Sequence, residues 1–202
     1  MQTPNIYVFF SDSNSWWSGP IKWATDGIWS HTGIIFQGSD GVRVMYEAIV
    51  ESGVVKSPML KLREMAVDPK KRVVVVPLDP YVFNYTDGQV NACWQYCDRS
   101  VGRRAYGTFQ LARMLLFESF NLPVGKSARK VVCSELVART LDAGKIFDAR
   151  GIRNPEFDTV NPYSLWVRLA ERAGGVDGLT LPNARGFGPL HPLLADKDPD
   201  FV

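Results

Sequence analysis

The chain holds only two histidines, His31 and His191, so few residues can supply a base that titrates near neutral pH. His31 stands where Trp29-Ser30 runs into an apolar, strand-like segment, a position that holds a ring rigidly. His191 lies between Leu190 and Pro192 in an irregular stretch, a poor place to hold one. Of the three cysteines, Cys133 sits where Val131-Val132 turns into the helical run Ser134-Glu135-Leu136-Val137-Ala138-Arg139. A thiol at a helix N-terminus faces unpaired backbone N–H groups and the positive end of the dipole, and both favour thiolate over thiol. An adjacent imidazole would complete a thiolate–imidazolium pair. The same position also suits a small buried residue of an amphipathic helix. Cys93 and Cys97 lie one helical turn apart beside Val90 and Trp94, where core packing is the expectation. A zinc site there would need two further ligands that no His or Cys cluster supplies, and the spacing is not that of a Cys-x-x-Cys redox pair. No metal and no cofactor are therefore expected.

The third chemical element is Glu47, on the strand expected to pair with the one that begins at His31. Opposed side chains of neighbouring antiparallel strands lie ~5 Å apart. A carboxylate there could hold the second imidazole nitrogen, fixing the tautomer and stabilising the imidazolium. Glu47 could also be an ordinary exposed strand residue, and Glu51 is a nearby rival for the same role.

Positioning these groups falls to elements that the pattern predicts. Ile6-Tyr7-Val8-Phe9-Phe10 reads as a buried strand ended by the turn formers Ser11-Asp12-Ser13-Asn14. Thr32-Gly33-Ile34-Ile35-Phe36 is a second strand, closed by Gly38-Ser39-Asp40-Gly41. In the third, Val42, Val44, Tyr46 and Ala48 alternate with Arg43, Met45, Glu47 and Ile49, and the turn chemistry predicts an antiparallel hairpin. Val54-Val55 continues the sheet, and Val73-Val74-Val75-Val76 reads as a central strand buried on two faces. Helices are expected around 21–25, over 87–99 (Val90, Cys93, Trp94 and Cys97 at i, i+3, i+4 and i+7), over 108–120 and over 131–143. A further helix starts at Asn161-Pro162, with Asn as N-cap and Pro at its first position, and runs toward Gly174. Strands fill the first half and helices the second, which predicts an α+β fold rather than a doubly wound parallel sheet. The expected organisation is one catalytic domain over residues 1–173 and an irregular Gly/Pro-rich tail over 174–202.

Three motifs then carry a resemblance. Ser30-His31-Thr32-Gly33-Ile34-Ile35, Tyr46-Glu47-Ala48 with Gly53-Val54 behind it, and Val132-Cys133-Ser134-Glu135-Leu136-Val137 resemble the permuted papain-like hydrolases of the NlpC superfamily. That group contains the YiiX-like bacterial proteins and, more distantly, lecithin–retinol acyltransferase. Its chain order is His, acidic or polar residue, then Cys. The resemblance spans about residues 5–170 and implies a small antiparallel sheet packed against helices, with the nucleophile at a helix N-terminus. Asp158-Thr159-Val160-Asn161-Pro162 is similar to the family's Thr-Pro segment, although Asn161 separates the Thr-Val pair from the proline. Tyr106-Gly107 is similar to a family tyrosine near the active site, and Tyr106 is a candidate for substrate or oxyanion contact. The implied activity is a cysteine peptidase or amidase working through a cysteinyl acyl-enzyme, with Cys133, His31 and Glu47 as catalytic residues. The backbone N–H of Cys133 would meet the oxyanion. Substrates implied are peptides, peptidoglycan-type peptides among them; a lipid-directed acyl hydrolase or acyltransferase, or a non-enzymatic binding module on the same fold, is the alternative. Trp16, Trp17, Trp23 and Trp29 precede His31 and either wall the cleft, suiting an apolar or acyl substituent, or belong to the core.

Composition excludes other classes. A net charge of +2 with no basic, aromatic-interleaved stripe argues against nucleic acid. Pro69-Lys70-Lys71-Arg72 reads as the solvated start of a strand. No run approaches the ~20 apolar residues of a membrane span. The N-terminal residues lack the pattern of a secretory signal, and an odd cysteine count precludes a full disulfide set within one chain. A reducing cytoplasm is the expected setting, with a phage-encoded role or release by lysis left open.

Overall fold

β-branched and aromatic residues build five strands: β1 (Asn5–Asp12), β2 (His31–Gln37), β3 (Arg43–Ile49), β4 (Gly53–Ser57) and β5 (Arg72–Leu78). The computed structural model describes residues 5–12, 18, 19, 22, 28–68, 70–106, 130–146 and 160–172. The strands join in one antiparallel sheet of order β4-β3-β2-β1-β5. The turn between β2 and β3 is tied by Gly38 N–H donating to the Val42 carbonyl at 2.9 Å and Val42 N–H donating to Asp40 Oδ1 at 3.1 Å. Gly41 takes φ of 83° there, a conformation that favours glycine.

Both faces of the sheet are covered. One carries Phe9, Ile35, Met45 and Val75 against Met59 and Leu62 of α1 (Met59–Val67). The other carries Ile6, Val8, Phe10, Ile34, Phe36 and Tyr46. Against it pack α3 (Asp87–Ser100), α4 (Cys133–Ala143) and α5 (Pro162–Arg172), while α2 (Pro80–Phe83) contributes Phe83 to the same core. Two short strands, β6 (Ala105–Tyr106) and β7 (Lys130–Val131), pair in parallel just ahead of α4. The chain is thus α+β, an antiparallel sheet packed on helices, consistent with a small papain-like fold of that class. Among the described residues no helix is long and apolar enough to cross a membrane.

Local signals explain the helices that form as expected. Thr86 caps α3, its hydroxyl accepting from Gln89 N–H while the Gln89 side chain returns to Thr86 N–H at 3.0 Å. Asn161 caps α5, with Oδ1 accepting from Ser164 N–H at 2.7 Å and Pro162 at the first helical position. Two elements differ from expectation. The four valines of β5 sit at the edge of the sheet, not its centre, paired to β1 alone. Their two-sided burial comes from helices above and below, and Pro77, which cannot donate to a ladder, is the edge signal in the sequence. Helix α1 is additional to the expected elements, although Met59, Leu62 and Ala66 recur at helical spacing after Ser57-Pro58. The helix expected around 21–25 is described only at Lys22. The one over 108–120 and the tail from 174, with its boundary, lie outside the described residues.

Gly33 is where the sheet is tightest. It pairs with Phe9 on one side and Glu47 on the other, and an added Cβ would lie 2.4 Å from Phe9 Cε1 and 2.6 Å from the Tyr46 carbonyl oxygen. Gly33→Ala should therefore lower stability by about 1–3 kcal/mol, as overpacked substitutions do. Urea denaturation of the two proteins measures it, and an unchanged midpoint would show that β1 and β2 are less closely packed.

Candidate active site

The hairpin register places His31 two residues beyond Gly33, on the same face as Glu47. The two side chains are diagonal neighbours, a separation that extended side chains span. They close it with His31 Nε2 at 2.7 Å from Glu47 Oε2. Glu47 is only 2% exposed, and its other oxygen, Oε1, accepts from the Ser57 hydroxyl and from Lys61 Nζ at 2.5 Å. Glu51 stands exposed in the turn after β3, away from this network. Sequence reasoning does not single out Ser57 or Lys61: Ser57 reaches Glu47 as a diagonal neighbour across the β3–β4 ladder, and Lys61 through the packing of α1 against the sheet.

Cys133 is the first residue of α4 and is almost wholly buried, at 4% exposed. Its side chain lies close enough to His31 to act on the titration of the imidazole. With Nε2 committed to Glu47, the nitrogen left for the thiol is Nδ1. The Phe9 ring lies against the imidazole, centroids 5.8 Å apart and tilted by 58°. Ser30 N–H donates to the Ser11 carbonyl at 3.2 Å, fixing the backbone just before His31. Burial on its own would lower the His31 pKa. The hydrogen bonds to Cys133 and Glu47, with the negative charge of each, outweigh it and push the pKa up from 6.5 to about 9. Burial would likewise raise Glu47, but His31, Lys61 and Ser57 hold its carboxyl down at about 2. A carboxylate, an imidazole and the Cys133 sulfur are thus brought together.

The start of α4 is held from several sides. Val132 precedes the helix and has no side-chain oxygen to cap it. The Glu135 carboxylate instead accepts from Val132 N–H at 3.3 Å, while Arg139 Nε donates to its other oxygen at 2.7 Å. Ser134 Oγ donates to the Val160 carbonyl at 2.5 Å, tying the cysteine's helix to the segment that leads into α5. The first-turn N–H groups have no partner within the helix and point toward the Cys133 end. Tyr106 aligns with Val131 in the β6–β7 ladder, two residues before Cys133; its side chain lies outside the described residues.

The remaining candidates separate clearly. Trp29 is fully buried, its ring between Phe10 (6.2 Å) and Trp166 (5.5 Å), so it is core and cannot wall a cleft. Trp16, Trp17, Trp23 and His191 lie outside the described residues. Cys93 and Cys97 are buried in the helical core, and burial pushes both thiols up to about 12. Cys97 also meets the Thr140 hydroxyl at 3.2 Å. Among the described residues no group of three or more His, Cys, Asp or Glu side chains is placed to share a metal ion.

Neither a protein-family model nor a curated protein matches the chain. Among solved structures, the crystal structure of metalloprotein YiiX from Escherichia coli O157:H7 is similar over 86% of this chain and 84% of that one, at 24% identity and a TM-score of 0.48.

Two outcomes follow from the site. Iodoacetamide at neutral pH should modify Cys133 and spare Cys93 and Cys97 until the protein is unfolded, as peptide mass spectrometry would show; labelling of all three at one rate would contradict this. The raised His31 pKa contributes stability that is complete below pH 6.5 and fades as pH climbs through about 9. The depressed Glu47 pKa contributes stability that is complete above pH 4.5 and fades as pH falls through about 2. Thermal melts from roughly pH 5 to 10 should show an alkaline decline that His31→Gln lacks.

Proposed function

We propose that the chain is a thiol-dependent hydrolase of permuted papain-like fold, a peptidase or amidase that cleaves an amide bond through a cysteinyl acyl-enzyme. The observation that carries this reading is the clustering of three groups: Cys133 at the start of α4 acts on an imidazole that is clamped by the buried carboxylate of Glu47. A structural cysteine has no need of an imidazole partner, and a buried histidine does not need a carboxylate that α1 and β4 must also stabilise. The order His31, Glu47, Cys133 along the chain, shared with the superfamily that the motifs resemble, supports the same conclusion.

In the proposed reaction the Cys133 sulfur attacks the carbonyl carbon, forming the C–S bond as the C=O electron pair moves onto oxygen. The N–H of Cys133 at the helix start faces that oxyanion. Collapse breaks the C–N bond, and the imidazolium of His31 gives its proton to the departing amine. Water then attacks the thioester, His31 takes the water's proton, and cleavage of the C–S bond returns the thiolate. Glu47 keeps the ring oriented and offsets its positive charge throughout. Peptides of the peptidoglycan type are the proposed substrates.

Turnover of a panel of peptidyl amides and acyl esters tests the proposal. Amides should be hydrolysed with an acyl adduct on Cys133 visible by intact-mass spectrometry. Cys133→Ala should lose the adduct and lower the rate by roughly a thousandfold or more. Retention of full activity by that variant would defeat the assignment.

A further inference from the structure

Lys61 has no place in a three-residue relay, yet its ammonium sits on the carboxylate that orients the histidine. Glu47 divides its two oxygens: Oε2 serves His31, and Oε1 receives Lys61 Nζ at 2.5 Å together with the Ser57 hydroxyl. The groups that meet Glu47 are thus His31 of β2, Ser57 of β4 and Lys61 of α1; those that meet His31 are Glu47, Cys133 of α4 and the Phe9 ring of β1. Lys61 is 41% exposed, so half of its environment is water while its partner is almost fully enclosed.

Resting on the function proposed above, we propose that Lys61 is a positioning residue that keeps Glu47 ionised through the whole cycle and makes the His31 imidazolium a readier proton donor to the leaving group. Before proton transfer, Glu47 has two cationic partners. Once His31 has passed its proton to the departing amine, the imidazole is neutral, and Glu47 would be a buried charge without a counter-ion were Lys61 absent. A buried lone carboxylate is costly. Lys61 therefore stabilises the state after proton transfer more than the state before it, and interactions of that kind raise the rate of the chemical step. Ser57 fixes the rotamer of the carboxylate so that Oε2 stays on the ring.

The sign of the effect is fixed by charge. Removing a cation near His31 leaves the full field of Glu47 on the ring, so the proton is held more tightly and the midpoint of imidazole titration rises. Solvent at the half-exposed ammonium screens the interaction, which limits the expected rise to about half to one pH unit.

The experiment is an NMR titration of imidazole signals in the full ¹⁵N-labelled chain, where only His31 and His191 contribute and His191→Ala assigns them. The wild-type His31 midpoint should fall near 9, Lys61→Met should raise it, Lys61→Arg should restore it, and Glu47→Gln should lower it. Lys61→Met should also reduce kcat on a cleaved amide while leaving iodoacetamide labelling of Cys133 intact. Lys61→Gln serves as a second neutral variant if Lys61→Met folds poorly. An unchanged or lowered midpoint in the folded neutral variants would overturn the role of Lys61 alone. A midpoint that does not fall in Glu47→Gln would overturn the relay itself, and with it the proposed function.

Discussion

A carboxylate taken out of water must be surrounded by donors and positive charge, and in this protein that requirement organises the first half of the chain. Glu47 draws one donor each from β2, β4 and α1, so three elements that follow one another in the sequence converge on a single group. Stripping water from such a group costs several kcal/mol, and its partners must recover that loss through short, charge-assisted contacts. The hairpin turn at Gly41 sets the register, and the missing side chain at Gly33 lets Phe9 lie across the sheet and against the imidazole. The helix that supplies Lys61 is held on the same face by Met59 and Leu62. Apolar packing thus places the ammonium, and the ammonium makes the buried charge tolerable.

The thiol reaches this arrangement from the other half of the molecule. Helix α4 packs on β2, β3 and α3 through Val137, Ala138 and Leu141, which fixes its axis. Its first turn is then fixed along that axis by Glu135 with Arg139 and by Ser134 on the Val160 carbonyl. A helix end supplies directed N–H groups only if it does not fray, so these contacts keep the N–H groups beside Cys133 in place. Cys93 and Cys97 make the contrast plain. They share the same core, but Cys93 packs against Gly144 and Cys97 against the Thr140 hydroxyl, and neither meets an imidazole.

The relay was legible from sequence because its parts follow local rules. Two histidines leave little choice of base, strand alternation puts Glu47 on the face shared with His31, and the step from Val131-Val132 into a helical pattern marks Cys133 as a first-turn residue. The pairing proved diagonal rather than direct, since Gly33 is the residue opposite Glu47. What supports the relay was not legible. Lys61 lies on α1, whose apolar residues outnumber its three charged ones, but no spacing within residues 57–68 tells that this helix folds back onto β3. Burial misled in one place: four consecutive valines suggest a central strand where helices cover an edge strand. Trp29, for which pattern leaves cleft wall and core both open, turns into the core.

An antiparallel sheet with two open margins is a template on which a foreign strand can assemble. In this molecule both margins are occupied or blunted. Along β4, Val54 N–H donates to the Arg104 carbonyl at 3.1 Å and Gly102 N–H donates to the Val54 carbonyl at 3.2 Å, so the chain seals that side with its own backbone. Along β5, exposed Pro77 removes a donor and Arg72 at the strand's start adds a charge. A second copy, or an extended peptide lying in the wrong place, would find no uninterrupted ladder there. Under the proposed function this has a use: among the described residues, the start of α4 beside Cys133 offers an incoming backbone helix N–H groups that no ladder competes for.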